Sequence, residues 1–434
     1  MQIVIITIND QGVNMSVHLA KGMRDILPSE LRKRRRVIEM IQGVFEQFGF
    51  EPLQTPAVER IETLMGKYGE EGNQLIFRIL ARGKAGQQGK ADSALRYDLT
   101  VPLARVMAMN PQLTLPFKRY QIQPVWRADR PQRGRFREFY QCDVDVVGTE
   151  NSLAEAECLT IVHHALVALG FTGFRIRLND RRILRAMVSD IQAVDREVDI
   201  LVAIDKLDKI GESGVRANLE EQGFSLQQID RLFEMLKEGS VPGIESELNN
   251  LNGIVEMAKI MGVSPERIEI DYTLARGLDY YTGPVFETIL TDDNIGSVSG
   301  GGRYDGLIGM FGKKQVPAVG VSLGLERLIT ILEERGTLED TAGKADVWVT
   351  VFDLDHQVHS LTIAKSLRNS GIRTLVSMKI NKLGKQFKAA HQAGVRWVVV
   401  CGPDDISENK CLVKDLQNGT QQSVAIDELV SHLV

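Results

Sequence analysis

The sequence predicts an α+β domain with an antiparallel sheet, interrupted by a helical insertion and followed by a C-terminal α/β domain. Two long strand-like runs, residues 118–127 and 136–147, enclose a polar loop and predict an antiparallel hairpin. Residues 179–262 follow helical periods and are rich in charge. After residue 344, short apolar strands alternate with helical runs, which is typical of a parallel sheet.

Size and charge indicate a multidomain globular protein. The 434 residues exceed what one hydrophobic core covers, so two or three domains are expected. The formal net charge of -5 argues against a protein that coats nucleic acid through its overall field, although a local basic groove stays open. The four cysteines lack C-x-x-C spacing and stand beside apolar residues, which predicts reduced, buried thiols and a cytoplasmic location.

The N-terminal part is interpreted as an extension followed by a helix. Apolar residues 3–6 are too few for a membrane span and lack the basic flank of a signal peptide, so residues 1–20 form an expected N-terminal extension. The helix that follows has one apolar stripe, with Ser29 as its expected N-cap and Gly49 as its expected C-cap. Its basic residues 33–36 predict a solvated face, because the dipole disfavours cations in the first turns.

The second arm of the predicted hairpin has a polar face, on which Phe139, Gln141, Asp143 and Asp145 alternate. A sheet covered on one side only gives the same alternation, so this face alone does not indicate a ligand. The connecting loop does indicate a ligand, because it concentrates the guanidinium donors that a triphosphate or an RNA backbone requires. Its ionisable residues are Arg127, Asp129, Arg130, Arg133, Arg135 and Arg137.

Arg276 opens a turn that reads Arg-Gly-Leu-Asp-Tyr-Tyr-Thr-Gly, between strand-like residues 268–274 and 285–290. The guanidinium therefore stands at a strand end, close in sequence to the phenols of Tyr280 and Tyr281. A planar guanidinium pairs bidentately with carboxylate or phosphate, which favours an anion-binding turn. A surface ion pair is the alternative.

A glycine-rich segment, residues 299–306, comes next. It lacks the Lys-Ser/Thr end of a P-loop and the spacing of a dinucleotide fingerprint. Its glycines either let backbone approach a ligand or form a structural turn with positive φ angles. Residues 318–335 are then expected to form a helix, in which Arg327 reaches either a phosphate or solvent.

The C-terminal part is predicted to be a βαβαβ domain over residues 345–434, after a linker at 336–344. Its basic stripe suits RNA but is more typical of a solvated face; the stripe consists of Lys379, Lys382, Lys385 and Lys388. No H-E-x-x-H or G-x-S-x-G motif is present, which argues against a metal hydrolase or a catalytic triad.

Four segments, taken together, carry a family resemblance. They are Leu95-Arg96-Tyr97-Asp98-Leu99-Thr100, residues 127–141, residues 276–283 and Gly324-Leu325-Glu326-Arg327. In this order they closely resemble histidyl-tRNA synthetases, which are class II aminoacyl-tRNA synthetases. The similarity runs from Lys21-Gly22-Met23-Arg24-Asp25 to residues 413–416. The Arg-Gly-Leu-Asp-Tyr-Tyr turn is highly specific to this family and its paralogue.

The resemblance implies a class II catalytic domain over residues 21–178 and 263–335, a helical insertion domain at 179–262 and an anticodon-binding domain at 345–434. It implies a homodimer whose interface includes residues 48–60 around Pro56. It also implies a cytoplasmic ligase that activates L-histidine with ATP, releases pyrophosphate and transfers histidine to the terminal adenosine of histidine tRNA. Mg²⁺ is expected with ATP, held largely through the phosphates.

Individual roles follow from the same resemblance. Arg127 and Arg276 correspond to catalytic arginines at the α-phosphate, where they would stabilise charge as pyrophosphate leaves. Phe139 corresponds to the residue stacked on adenine, and Arg135 and Arg327 to residues at the outer phosphates. The remaining ATP-side residue is Asp129. The implied histidine-side residues are Asp98, Thr100 and Gln141 at the α-amino end, Asp145 and Tyr281 around the imidazole, and Arg276 and Tyr280. No metal-ligating residue is implied.

The chain departs from the family pattern at three positions. Tyr97-Asp98-Leu99-Thr100 stands where bacterial members often have Pro-Glu-Gly-Thr. Asp129 stands where Glu is usual, and Asp145 where some members have Glu. Each change keeps the carboxylate but shortens its side chain by one methylene, which leaves the depth of the imidazole pocket open.

One alternative belongs to a different class, the histidine-sensing regulatory subunit of ATP phosphoribosyltransferase, which charges no tRNA. That paralogue typically lacks the C-terminal domain and loses catalytic arginines. Because Arg127, Arg276 and Arg327 are present and the C-terminal pattern is complete, the charging enzyme is favoured. An RNA-binding scaffold without turnover is a third, less favoured interpretation.

Overall fold

The computed structural model describes residues 17–275, 280–312, 314–338 and 345–433. The described residues divide into two compact units, one formed by residues 17–27 and the described part of 34–338, and the other by residues 28–33 and 345–433. No helix within the described ranges combines the length and apolarity that crossing a membrane requires.

The larger unit is built on a mixed sheet and a small second sheet. Its strands are β1 (Glu51–Pro52), β2 (Val58–Arg60), β3 (Arg78–Leu80), β4 (Ala91–Leu95), β5 (Phe117–Trp126), β6 (Glu138–Val147), β7 (Phe174–Asp180), β8 (Ile268–Ile270), β9 (Pro284–Leu290), β10 (Ser297–Arg303) and β11 (Ala318–Gly324). Eight described strands form the large sheet in the order β1-β5-β6-β11-β10-β9-β7-β8. Its interior pairs are antiparallel, as predicted, whereas the edge pairs β1–β5 and β7–β8 are parallel.

Helices precede, connect and follow these strands. They are α1 (Pro28–Gln47), α2 (Ile61–Leu64), α3 (Gly69–Gln74), α4 (Lys84–Gln87), α5 (Thr100–Met109), α6 (Leu153–Ala168), α7 (Arg181–Asp190), α8 (Glu197–Ile204), α9 (Leu207–Glu221), α10 (Leu226–Glu238), α11 (Glu245–Ile260) and α12 (Leu325–Glu334), with 3-10 turns at Val194–Arg196, Pro265–Arg267 and Ile308–Met310. The helices predicted between β7 and β8 are present as α7 to α11.

The boundaries of α1 differ from those expected. Leu27 occupies the N-cap position and Pro28 begins the helix, so Ser29 was the wrong N-cap. Proline suits the first helical position because its missing N–H would have no intrahelical partner there. At the other end Phe48 is the C-cap, and Gly49 follows it with a φ of 73°, a conformation that glycine adopts without strain.

The hairpin of β5 and β6 separates the core from a polar cavity. Cys142, Val144 and Val146 on one face of β6 belong to the main core, which they share with the buried helix α6. The alternating residues therefore face away from α6. Burial of the apolar face against a helix thus decides which side of the sheet is polar.

Residues 318–324 were wrongly predicted to be helical. They form β11, in the middle of the large sheet between β6 and β10, and the helix begins only at Leu325. Val319, Val321 and Leu323 alternate with small residues, which is the period of a strand. The helix was predicted over residues 318–324 because the helical spacing of the apolar residues in α12 was taken to continue through them.

The glycine-rich segment is a strand as far as Arg303, and a turn follows at residues 305–306. It contributes to β10, and residues 300–302 have no positive φ angle. A Cβ atom at Gly301 would overlap the carbonyl oxygen of Gly320 on β11 and the ring of Phe286 on β9. These glycines therefore permit close packing within the sheet.

The smaller unit has its own sheet. Its strands are β12 (Val347–Val349), β13 (Thr374–Val376), β14 (Trp397–Val400), β15 (Lys410–Asp415) and β16 (Gln421–Ala425), and its helices are α13 (Gln357–Asn369), α14 (Leu383–Gln392), α15 (Pro403–Ser407) and α16 (Leu429–Leu433), with a 3-10 turn at Ile426–Glu428. The order is β13-β12-β14-β15-β16, and β12 is parallel to both neighbours, which confirms the βαβαβ pattern. The antiparallel pair β15–β16 was not predicted.

Candidate active site

A cavity of about 360 Å³ opens on the polar face of β6. Side chains and backbone from β6, β9, β10, β11 and the start of α5 line it. Residues predicted from sequence to bind ligands contribute a large part of this lining; they are Asp98, Thr100, Arg127, Gln141, Asp145, Tyr280 and Tyr281. Residues separated by almost two hundred positions in sequence therefore surround one space.

The remaining predicted residues lie elsewhere. Phe139 stands beside the cavity, with its ring centre 5.2 Å from Arg127 Cζ. Arg327 donates from Nη1 to the carbonyl oxygen of Ser297, a lining residue, so it adjoins the cavity edge. Asp129 and Arg135 are in the β5–β6 loop outside the lining, and Arg135 is exposed.

Arg276 lies outside the described residues, as do its three successors. The flanking residues Leu274 and Tyr280 both line the cavity.

Asp145 is held by two residues that sequence reasoning did not select. Arg119 Nη2 lies 2.6 Å from Asp145 Oδ2, in an ion pair without hydrogen-bond geometry, and the Tyr304 phenol donates to Oδ1. Arg119 is 0 % exposed. It stands directly opposite Asp145 in the β5–β6 register, which is the one signal that the hairpin pattern offered. Tyr304, just beyond β10, carried no such signal.

Asp98 is fixed at the beginning of α5. Its Oδ1 accepts hydrogen bonds from the Tyr68 phenol and from the backbone N–H of Val101, both at 3.0 Å. The second contact satisfies one of the unpaired N–H groups of the first helical turn. The carboxylate is therefore oriented by the helix end before any ligand arrives.

Arg127 is oriented by aromatic rings. Its Nε donates to the Tyr97 carbonyl oxygen at 3.0 Å, and its Cζ lies 4.2 Å from the centre of the Tyr97 ring. Among the described residues its Nη groups have no hydrogen-bond partner. The guanidinium consequently presents two Nη donor groups to the cavity that it lines.

The arginines of the β5–β6 loop do not act as one group. Arg133 pairs with Asp293 and Glu334, and Arg137 donates to the carbonyl oxygen of Asp129 at 3.0 Å. These two arginines have structural partners. Of the loop arginines, only Arg127 lines the cavity.

Comparison with known proteins gives the chain a family. A family model described as histidyl-tRNA synthetase matches residues 22–328, and one described as anticodon binding domain matches residues 346–434. A histidine–tRNA ligase of Cytophaga hutchinsonii is 40% identical over 96% of this chain and 99% of its own length. The chain belongs to the histidyl-tRNA synthetase family.

Solved structures agree with this family fold. The crystal structure of histidyl-tRNA synthetase from Nostoc has a TM-score of 0.79 and 32% identity, covering 96% of this chain and 99% of that one. A Bacillus halodurans structure titled as an ATP phosphoribosyltransferase regulatory subunit/histidyl-tRNA synthetase has a TM-score of 0.74 and 22% identity, covering 89% of this chain and 98% of its own. At that identity the likeness concerns the fold alone. The predicted α+β fold with a separate C-terminal α/β domain is confirmed.

Within this family fold, burial dominates the electrostatics of the cavity. It raises the pKa of the Asp98 and Asp145 carboxyls, and it raises the pKa of the Tyr280, Tyr281 and Tyr304 phenols. The phenols therefore stay protonated and act as hydrogen-bond donors. The charge of Arg119 opposes this effect, because it lowers the pKa of the Asp143 and Asp145 carboxyls.

Gly320 makes room for the Asp145 carboxylate. A Cβ atom at this position would overlap Asp145 Oδ1 and approach the Val144 carbonyl oxygen. We expect Gly320→Ala to lower the free energy of unfolding by about 1–3 kcal/mol, because both neighbours belong to a packed sheet. Urea unfolding would measure this. The matched control on the same strand is Gly324→Ala, whose Cβ would lie 3.5 Å from its nearest neighbour; an equal loss in both variants would contradict the steric explanation.

Asp143 should make the stability of the ligand-free protein depend on pH. Burial raises its pKa to about 7, with Arg119 opposing and Asp145 adding to the shift. Between about pH 4 and 7 the unfolded chain has lost this proton while the folded chain retains it, so rising pH favours unfolding until the folded group also ionises. The destabilisation that Asp143 causes is fully present above pH 7 and absent below about pH 4.

Asp143→Asn should remove this dependence. We expect the free energy of unfolding of the variant, relative to the parent protein, to increase by about 2 kcal/mol between pH 5 and 7.5. Urea titrations at four pH values would measure the difference. A difference that stays constant over this range would contradict the raised pKa.

Proposed function

We propose that this chain is a charging histidine–tRNA ligase. In the first step a carboxylate oxygen of L-histidine attacks the α-phosphorus of ATP, the bond to the bridging oxygen breaks, and pyrophosphate leaves with the electron pair. In the second step a ribose hydroxyl of the terminal adenosine of histidine tRNA attacks the histidyl carbonyl, and AMP leaves. The observation that carries the proposal is the cavity itself, in which carboxylates and phenols lie beside Arg127.

The carboxylate and phenol end of the cavity would take histidine. A neutral imidazole offers one N–H donor and one acceptor nitrogen. Asp145 would accept from the first and Tyr281 would donate to the second, so isosteric amino acids that lack either feature leave a buried group unpaired. Thr100, Asp98 and Gln141 would hold the α-amino end, and Tyr280 would close the wall beside them.

The Arg127 end would take ATP. Arg127 and Arg276 would bind the α-phosphate oxygens and stabilise the charge that develops as pyrophosphate leaves. Phe139, beside Arg127, would stack on adenine. Arg327 and Arg135 would hold the outer phosphates. The proximity of the loop to α12 supports this, since a Cβ at Gly134 would lie 3.1 Å from Arg327 Cγ.

Asp129 and magnesium complete the ATP side. Asp129 would orient the loop on the nucleotide, because its carbonyl already anchors Arg137. Mg²⁺ would enter with ATP and supply charge neutralisation on the phosphates. In the ranges described, no group of three His, Cys, Asp or Glu side chains is arranged to hold a metal ion, so phosphate oxygens and water fit as its ligands better than a protein cage.

Histidine tRNA would be read by residues 345–434, the region that matches the anticodon-binding family model almost throughout. The exposed lysines on and before α14 would contribute phosphate contacts. We further infer the domain boundaries stated above, with residues 179–262 as an insertion within the catalytic domain. A homodimer joined through residues 48–60 and a cytoplasmic location fit an enzyme of translation.

A non-charging regulatory subunit is the second candidate, since the Bacillus halodurans protein of similar fold is described as an ATP phosphoribosyltransferase regulatory subunit/histidyl-tRNA synthetase. The match of residues 346–434 to an anticodon-binding domain and the presence of Arg127 in the cavity favour the charging enzyme. Nearly full-length relatives named histidine–tRNA ligase favour it too.

The deciding experiment is amino-acid-dependent exchange of pyrophosphate into ATP with each of the twenty amino acids, followed by acylation of total tRNA. Exchange and acylation with histidine alone are expected. Histidine binding without either activity would favour the regulatory subunit, and exchange with another amino acid would overturn the histidine assignment.

A further inference from the structure

Besides Asp145 Oδ2, which is ion-paired with Arg119, three buried acceptor atoms around the cavity have no hydrogen-bond partner in the described chain: Asp98 Oδ2, Gln141 Oε1 and Asp143 Oδ1. Leaving a buried acceptor unpaired is unfavourable, so three of them around one space indicate a site for a hydrogen-bond donor. Two of these side chains are fixed by their other polar atoms, because Asp98 Oδ1 caps α5 and Gln141 Nε2 donates to Ser322 Oγ at 3.1 Å.

The group that complements three acceptors is an ammonium, which has three N–H donors and no acceptor. Charge points the same way. Asp98 and Asp143 are 1 % and 3 % exposed, and Arg119, which lowers the pKa of both carboxyls, is already paired with Asp145; Arg127 also lowers the pKa of Asp98, but burial still raises both values. A ligand with a positive charge would therefore compensate carboxylates that the protein itself leaves without full neutralisation.

We propose that Asp143 binds the α-ammonium of the substrate amino acid directly and forms, with Asp98 and Gln141, a cradle of three acceptor atoms. This inference rests on the proposed function and adds a specificity-determining residue to it. Asp143 follows Gln141 on the same face of β6, about 7 Å further along, and Asp145 follows at the same interval. An amino acid lying along the strand therefore places its ammonium near the first pair and its side chain near Asp145.

Two other roles for Asp143 fit less well. As a structural partner of Arg119 it would accept a hydrogen bond, yet Arg119 donates to Gln121 Oε1 and the Leu99 carbonyl oxygen instead. As an imidazole ligand it would compete with Asp145, which Tyr304 and Arg119 already hold in place. The raised pKa of Asp143 is consistent with a carboxyl that awaits a cation.

The test compares ligands with and without an ammonium on the full-length protein. Isothermal titration would measure binding of L-histidine, of histidinol, which keeps the ammonium but lacks the carboxylate, and of imidazolepropionate, which lacks the ammonium. In Asp143→Asn we expect the affinities for histidine and histidinol to fall roughly ten- to hundred-fold, and that for imidazolepropionate to change less than about twofold. Asp143→Ser should give the same selectivity and guards against a folding defect in one variant.

The matched control is Asp415→Asn, another buried carboxylate, which lies in the smaller unit. It should leave all three affinities unchanged. If Asp143→Asn lowers the affinity for all three ligands equally, or for none of them, the proposal is overturned. The proposed function would still stand in that case, provided that the parent protein binds histidine. Failure of the parent protein to bind histidine would instead remove the proposed function and this inference together.

Discussion

Arg127→Gln is expected to lower the turnover number of histidine-dependent pyrophosphate exchange by about 10²–10³-fold, which corresponds to roughly 3–4 kcal/mol of lost transition-state stabilisation. The reason is that glutamine keeps a hydrogen-bonding amide but loses the positive charge and the bidentate fork that the α-phosphate needs as pyrophosphate leaves. Steady-state exchange at saturating histidine and ATP would measure the effect.

The fold should survive this change. Arg127 is half-buried, and the hydrogen bond that it makes within the described chain is to a single backbone carbonyl. The midpoint of urea unfolding should therefore remain close to that of the parent protein. The control is Arg185→Gln, which changes an exposed arginine of α7 that pairs with Glu197 of α8; this variant should retain full exchange activity. A fall of less than about tenfold in Arg127→Gln would contradict the proposed phosphate role.

Arg119→Met is expected to be the most destabilising of these substitutions, lowering the free energy of unfolding by about 3–5 kcal/mol at pH 8. Arg119 is fully buried in β5, and its removal leaves the Asp145 carboxylate without its cation. Because Arg119 also lowers the pKa of Asp143 and Asp145, its loss lets both carboxyls retain protons to higher pH. The destabilisation should accordingly be smaller at pH 5 than at pH 8, because a carboxyl that retains its proton needs no cation.

Urea unfolding followed by far-ultraviolet circular dichroism would test this at both pH values. Adding Asp145→Asn to Arg119→Met should recover part of the lost stability, since the unpaired buried charge is then gone. The control is Arg175→Met on β7 of the same sheet, where the ion pair with Glu269 is about half exposed and should contribute less than about 1 kcal/mol. Similar losses for Arg119→Met and Arg175→Met would contradict the role of burial.

Local pattern was sufficient for part of the site. The alternation of Gln141, Asp143 and Asp145 along β6 predicted a polar face, and these residues do line one cavity. Asp98 was selected by resemblance, and Arg127 by the arginine-rich loop as well as by resemblance; both line the same cavity. Period-two alternation depends only on backbone geometry, so it can be read without any tertiary contact.

Partners from distant strands could not be found in this way. Tyr304 and Gly320 reach Asp145 because β10 and β11 pair in the middle of the sheet, more than a hundred residues after β6. Residues 318–324 even suggested a helix, because the apolar spacing of α12 continues backwards through them. Pairing with β6 and β10 decided their conformation.

The sequence by itself determined the class of fold, the antiparallel hairpin, the βαβαβ end and the chemical types at the site, since periodicity and side-chain chemistry are properties of short segments. The tertiary structure alone decided the ion pair of Arg119 with Asp145, the space at Gly320 and the unpaired oxygens of Asp98, Gln141 and Asp143. The physical reason is that strand order and burial bring distant residues together. Which buried polar atoms find a partner in the protein, and which can bind a ligand instead, depends on these contacts.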